Sequence, residues 1–313
     1  MESFLLRRAS CFVWTGPCSK RQFGMVENEN KSFSERVKGL FLAYYTNQFS
    51  LWFDRNFILS AVVSFLILYL SSIVNTVAGL TATGAASNAV GDIILDNIPR
   101  LDTSIIHGFL AGLVKYLSFL FLLFFPRYVP FTFKTVAGLI LLRSVFINLT
   151  NIGIYPDAIP IKSLVTFGGD LFFSGHVANN FLLALIFWKV TPLRITYLFL
   201  TFLFGAGSLL GHYHYSIDVF AAPFFAYGVF NIAKRLFPED FNLFQTGGLF
   251  TGEVNGVPKK IDVKKIVSTI ILFAVLIGFL QTKAVSFVGQ FAPAYVKESI
   301  WKYHHSINTR LKN

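Results

Sequence analysis

Long runs of apolar residues recur along most of this chain, separated by short polar segments. A helix needs about 20 such residues to cross the hydrocarbon of a bilayer, and several runs approach that length. No alternation of apolar and polar positions over about ten residues, the signature of a membrane barrel strand, is present. The pattern predicts spanning helices at 57–78, 105–125, 133–151, 172–188, 193–211 and 215–233, with a seventh at 266–286.

The predicted fold class is therefore all-α, a polytopic membrane helical bundle with one membrane domain. Residues 1–56 are expected to form a basic juxtamembrane segment, 57–235 the six-span domain, and 236–265 a loop rich in Gly and Pro. Residues 266–313 then hold the seventh helix and its tail. Because that tail is basic, a re-entrant or interfacial seventh segment is an open alternative.

Composition supports a membrane protein, because 54% of the 313 residues are hydrophobic, 14% are charged and 37 are Phe. A net charge of +11 would suggest nucleic-acid binding if the basic residues were not confined to particular loops. They concentrate before the first span and in the loops after the second, fourth and sixth, so we expect this side and the N-terminus to be cytoplasmic. The opposite loops hold Arg100 and Lys162 against Asp92, Asp96, Asp102, Asp157 and Asp170. No nucleic-acid partner is expected.

The most informative polar residues are His214 and Asp218, which lie four apart at the predicted outer start of a helix. That spacing places both side chains on one helix face, where they can hydrogen-bond. A carboxylate on one ring nitrogen orients the imidazole and leaves the other nitrogen free to attack phosphorus.

His176 is the second candidate, because two apolar segments and a short turn separate it from His214. An even number of crossings puts both histidines on one membrane face, so His176 is available as a general acid and base. Ser174 and Gly175 open the helix of His176, where free backbone N–H groups can hold phosphate oxygens. Asp170 can serve substrate binding or cap the helix that follows.

These segments resemble two motifs of a known family. Gly169-Asp170-x3-Ser174-Gly175-His176 and His214-Tyr215-x2-Asp218-Val219 look like the third and fourth motifs of the sphingomyelin synthase family, a branch of the PAP2 lipid phosphatase superfamily. Arg143-Ser144 is similar to the start of the second motif, and residues 98–102 resemble the first motif only in part. Gly168, Val177 and Ser216 stand where the family has Cys, Thr and Thr, and none of these changes removes a chemical role.

The resemblance implies a six-helix core and an enzyme that moves phosphocholine or phosphoethanolamine from a glycerophospholipid to ceramide or a related lipid alcohol, releasing diacylglycerol. It implies that His214 is the nucleophile, Asp218 its partner and His176 the general acid and base. The substrate-binding residues expected beside them are Asp170, Ser174, Gly175, Arg143 and Tyr215. No cofactor and no metal are expected.

Two charged residues lie inside predicted spans, which is costly and usually functional. Arg143 is expected to bind phosphate or to pair with an acidic residue, and Lys115 is expected to snorkel toward the interface. The two cysteines lie in the N-terminal tail and indicate no thiol chemistry.

The acceptor remains open at this point. The chain lacks the Lys-x6-Arg-Pro signature of ordinary lipid phosphatases, and Gly207-Ser208 stands where those enzymes carry Ser-Arg, which favours the synthase branch. The same machinery with water as acceptor is a phospholipase C or lipid phosphatase, and a lipid scramblase or binding protein is a further alternative. The sequence does not declare the head group, the source membrane or the oligomeric state.

Overall fold

The computed structural model describes residues 50–159 and 169–245, and every regular element within them is a helix. The helices are α1 (Arg55–Gly84), α2 (Ile106–Phe124), α3 (Val129–Leu149), α4 (Gly175–Ile186), α5 (Thr191–Leu210), α6 (Ser216–Leu236) and α7 (Pro238–Gln245). Short 3-10 turns lie at Leu51–Phe53, Leu95–Asn97 and Pro126–Tyr128. The first turn of α2, Ile106–Leu110, is a π-helix.

Within the described residues, α1, α2, α3, α5 and α6 are long and apolar enough to cross a membrane. The predicted all-α membrane bundle is therefore confirmed. The predicted seventh helix at 266–286 lies outside the described residues, as do residues 1–49.

The fourth predicted span, 172–188, differs from the helix observed. Helix α4 has 12 residues, which corresponds to about 18 Å at 1.5 Å per residue, less than the hydrocarbon thickness of about 30 Å. It begins late because the preceding segment is held outside the helix by α1 and α3, through Gly169 and Arg143. Apolar content alone carries no information about these contacts.

Small residues let α4 and α6 approach each other closely. Ala178 and Ala184 of α4 are fully buried, and so are Ala222 and Ala226 of α6. Helices in lipid associate through packing rather than hydrophobic transfer, and small side chains at the contact make that packing tight. The short helix α4 is thereby held between α5 and α6 in the centre of the bundle.

The loops at one end of the bundle are joined by backbone hydrogen bonds. Leu101 N–H donates to the carbonyl of Leu210 at 2.8 Å, and Ser174 N–H donates to the carbonyl of Asp218 at 3.0 Å. Ser87 N–H likewise reaches the loop after α3, at Asn151. These bonds hold together the loops beside the first turns of α2, α4 and α6, so residues there share one end of the molecule.

A polar cluster links three helices at the opposite end. Lys134 Nζ of α3 lies 2.5 Å from Asp240 Oδ2 of α7, and Ser60 of α1 donates to Asp240 Oδ1 at 2.8 Å. A charge inside a spanning helix is tolerated when it is paired in this way. The cluster connects the amphipathic helix α7 to the first and third spans.

Candidate active site

The pair His214 and Asp218 lies at the start of α6. The chain reverses between α5 and α6 through a tight turn in which His212 has a φ of 55°, a left-handed conformation that His adopts more readily than most residues. Asp218 is fully buried, and its Oδ2 accepts a hydrogen bond from Tyr215 N–H at 3.0 Å. His214 Nδ1 lies 3.5 Å from the same oxygen. That distance exceeds a hydrogen bond, and such contacts often tighten when substrate binds.

His176 is the second residue of α4, and aromatic packing surrounds its ring. Phe204 of α5 stacks on it with ring centroids 5.5 Å apart and planes 14° apart. Ser174 N–H, two residues before His176, donates to the carbonyl of Asp218 at 3.0 Å, which joins the start of α4 to the first turn of α6 beside His214. The structure thus brings the two histidines singled out by the sequence into one cluster.

Arg143 braces the loop before α4. Its Nε donates to the carbonyl of Phe173 at 2.9 Å, and its Nη2 donates to the carbonyl of Asp170 at 2.5 Å. Its Nη1 is 3.4 Å from the Asp170 carboxylate and 3.5 Å from Asn75 Oδ1. A Cβ on Gly175 would lie 3.2 Å from Arg143 Nε, so the absence of a side chain there gives the guanidinium its room. Most donors of Arg143 are occupied by the protein.

Asp170 occupies a partly buried position beside that guanidinium. Burial raises the pKa of the Asp170 carboxyl above its usual value, and the positive charges of Arg143 and His214 oppose the rise. The neighbouring Gly169 is pressed against the end of α1, where an added Cβ would lie 2.5 Å from the carbonyl oxygen of Ala82. Only glycine fits that approach, which fixes where the loop meets α1.

Ser174 and Tyr215 are both buried in the structure. The Ser174 side chain is fully buried, and its Oγ makes no hydrogen bond to any described residue. The Tyr215 hydroxyl donates to the carbonyl of Gly153 at 2.8 Å and accepts from Val90 N–H at 3.2 Å. Tyr215 thus links the loops that contain Val90 and Gly153, whereas Ser174 Oγ has no hydrogen-bond partner among the described residues.

Lys115 lies on the inward side of α2, contrary to the snorkelling expected from sequence. At 3.6 residues per turn its direction is about 40° from that of Ala111 and about 20° from that of Leu122, and both of those residues are buried. Lys115 itself is exposed. Its ammonium is close enough to interact with the charges of His176 and Arg143. Among the described residues it has no hydrogen-bonded or ion-paired partner.

Sequence reasoning missed His107, whose ring lies 5.5 Å from that of His176. One signal could have found it: an ionisable residue at the start of the second predicted span is costly, and span counting places it at the same end as His176 and His214.

Together these residues provide an oriented imidazole, a second imidazole beside it and one cation whose charge is unpaired within the described chain. An arrangement of this kind can attack phosphorus, transfer a proton to a leaving oxygen and hold an anionic group. His176 and His214 lie at the starts of α4 and α6, at one end of the membrane helices, whereas Lys115 lies midway along α2.

No curated protein and no solved structure matches the chain. Residues 168–235 match the family model described as PAP2 superfamily C-terminal. The matched stretch runs from the loop before His176 almost to the end of α6 and includes His176, His214 and Asp218. It supports an integral membrane protein with activity of the lipid phosphatase or phosphotransferase type. The part of this chain that carries the histidine pair is thus similar to the C-terminal region of the PAP2 superfamily.

Proposed function

We propose that this protein is a membrane phosphotransferase that moves a phospho-head group, phosphocholine or phosphoethanolamine, from a glycerophospholipid to ceramide or a related lipid alcohol. Diacylglycerol is the other product. The observation that carries the proposal is that the start of α4, with His176, is hydrogen-bonded to the first turn of α6, where buried Asp218 faces His214.

In the first step His214 Nε2 attacks the phosphorus of the donor lipid, and the bond between phosphorus and the diacylglycerol oxygen breaks. His176 gives its proton to that oxygen, which would otherwise leave as an alkoxide. Asp218 faces Nδ1 and stabilises the positive charge that His214 acquires. In the second step His176 takes the proton of the acceptor hydroxyl, whose oxygen attacks phosphorus and releases His214.

The cations near the histidines favour a phosphodiester substrate. Arg143 is engaged with Asp170 and with backbone carbonyls, which leaves Lys115 as the cation without a partner among the described residues. One ammonium matches the single negative charge of a phosphodiester, whereas a phosphomonoester dianion calls for more positive charge. We therefore assign Lys115 to a non-bridging phosphoryl oxygen.

The distribution of charge supports a site on the extracytoplasmic face. The loops at the site end carry Asp92, Asp96, Asp102 and Asp157 with Arg100, whereas Arg127, Lys189, Lys234 and Arg235 lie at the other end. Basic residues prefer the cytoplasmic side.

The test uses purified full-length protein in lipid nanodiscs with a glycerophospholipid labelled in its head group. With ceramide present we expect a labelled sphingolipid, and the His214→Gln variant should form none. Phe202→Ala, a change on the lipid-exposed side of α5, serves as the matched control and should retain full activity.

The acceptor is decided by omitting ceramide. Water-soluble labelled head group at the same rate with and without ceramide would replace the proposal with a phospholipase C. If the lipids remain unchanged in every sample while labelled lipid equilibrates between leaflets, the protein is a scramblase and the enzyme assignment fails.

A further inference from the structure

His107 belongs to a cluster of four rings that includes His176, and its shortest ring contact, with centroids 4.6 Å apart, is with Tyr213. It lies in the π-helical first turn of α2 and is 7% exposed. Its ring meets that of His176 edge-to-face, with centroids 5.5 Å apart and planes 83° apart, and meets Phe204 at 5.8 Å and 88°. The ring of Phe204 stacks on the face of the His176 imidazole. The ring of His107 meets the same imidazole edge-to-face.

The position of His107 is itself fixed by α5. Its Nε2 is 2.9 Å from the hydroxyl oxygen of Ser208, which is fully buried. An added Cβ on Gly207 would lie 3.2 Å from His107 Cε1, so glycine permits the close approach of α2 to α5. The Thr103 hydroxyl donates to the carbonyl of Gly207 at 2.7 Å and closes the same contact. A π-helical turn is rare and frequently marks a functional site.

The two candidate catalytic histidines are oriented in different ways. His214 has the carboxylate of Asp218 at its Nδ1. No hydrogen bond from a described residue reaches the ring of His176, and its ring contacts there are with Phe204 and His107. The orientation of His176 therefore depends on packing, and His107 supplies the edge-on contact.

We propose that His107 is a positioning residue which, held by Ser208, fixes the imidazole of His176 in the orientation needed for proton transfer to and from the lipid oxygens. This proposal rests on the proposed function in one respect, the proton-transfer reaction assigned to His176. His107 is buried and its Nε2 is engaged with Ser208, so we infer that His107 acts through His176 rather than on substrate.

Loss of this contact should slow chemistry and spare binding. We expect His107→Ala to lower kcat by about 10² with KM nearly unchanged, because small misplacements of a catalytic group have effects of that order. His107→Phe keeps a ring against His176 and should lose less than Ala. Ser208→Ala removes the hydrogen bond but keeps the His107 ring, and should also give a partial loss.

A double-mutant cycle separates positioning from an independent role. If His107 acts through His176, then adding His107→Ala to His176→Ala costs no further activity, since the two changes remove one function. Losses that multiply in the double variant, or an increase in KM as the main effect of His107→Ala, would overturn the proposal.

A second measurement does not require turnover. Diethyl pyrocarbonate modifies neutral imidazoles, and mass spectrometry gives its rate at His176 in the full-length protein. We expect a several-fold faster reaction in His107→Ala, an intermediate rate in Ser208→Ala and the wild-type rate in Phe202→Ala. An unchanged rate in His107→Ala refutes the positioning role. If the wild type turns over no lipid but the His176 rates follow this order, the proposed function fails while the positioning role stands.

Discussion

Asp218 has two tasks that substitution can separate. Its Oδ2 accepts the Tyr215 N–H at the start of α6 and also faces His214 Nδ1. Asn keeps an oxygen for the N–H but loses the negative charge, so Asp218→Asn should lower kcat by about 10² to 10⁴, by analogy with the aspartate of a serine protease triad. Asp218→Ala should lower kcat similarly and also reduce the melting temperature, because the helix loses its cap.

The two readouts are the transfer rate and thermal unfolding in detergent, recorded on the same preparations. If Asp218→Asn keeps near wild-type kcat, the carboxylate has no catalytic part and serves α6 alone.

Lys115 provides a test of phosphate binding. Lys115→Met keeps the length of the side chain but removes its charge, and a hydrogen bond to a charged group is worth about 1.5 to 3 kcal/mol, so kcat/KM for the donor lipid should fall by about 10- to 100-fold. Lys189→Met, at the opposite end of the bundle, is the matched control and should leave kcat/KM unchanged. A wild-type value for Lys115→Met would place this ammonium outside the binding site.

At the residue scale, local spacing predicted more than composition. The four-residue separation of His214 and Asp218 implies one helix face, and the structure has them in contact. His107, by contrast, reaches His176 through a π-turn and through contacts with α5, all distant in sequence. The inward position of Lys115 likewise depends on how α2 packs, which no local pattern encodes.

At the scale of elements, Asp92 joins the loop after α1 to α6. Its Oδ1 accepts from Ile94 N–H at 2.9 Å and from Leu95 N–H at 3.2 Å, and its Oδ2 accepts from Ser216 N–H at 2.6 Å. Burial raises the pKa of Asp92, but these hydrogen bonds outweigh it, so the pKa lies below its usual value. The ionised carboxylate therefore stabilises the fold above the ordinary Asp pKa, and this contribution is lost as pH falls through the lowered value.

Asp92→Asn should accordingly destabilise the protein at pH 7 by about 1 to 3 kcal/mol, since its amide group would face an N–H donor that now lacks an acceptor. Thermal unfolding from pH 7 down to pH 3 measures the effect, and the difference from wild type should shrink at the acid end. Asp157→Asn, an exposed change on a neighbouring loop, should behave as wild type. A difference that grows toward low pH would contradict the role given to the Asp92 carboxylate.

The helices themselves were the easier part to predict. Apolar runs of sufficient length identified α1, α2, α3, α5 and α6, because lipid leaves few alternatives to a helix. The start of α4 was wrong because Phe172 and Phe173 read as apolar span residues, yet they lie in a loop braced by Arg143. Contacts with neighbouring helices can hold an apolar segment outside a helix, and hydropathy does not report such contacts.

At the scale of the whole molecule, we expect the two ends of the bundle to be accessible from opposite sides of the membrane. With Cys11 and Cys18 replaced by Ser, a cysteine at Asp157 should react in intact cells with a membrane-impermeant thiol reagent, because it lies on the site end. A cysteine at Arg235 should react only after the membrane is permeabilised. The reverse pattern would place the site in the cytoplasm and overturn the orientation proposed from charge.

If His214 carries the phosphoryl head group between two lipids, chemical trapping should isolate that intermediate. Protein incubated with phosphate-labelled donor lipid and no acceptor is quenched in base, which preserves phosphoramidates, and digested for mass spectrometry. We expect a head-group phosphoryl adduct on His214 that disappears when ceramide is added before the quench and is absent in His214→Gln. An adduct on His176 instead, or transfer at the full rate by His214→Gln, would contradict it.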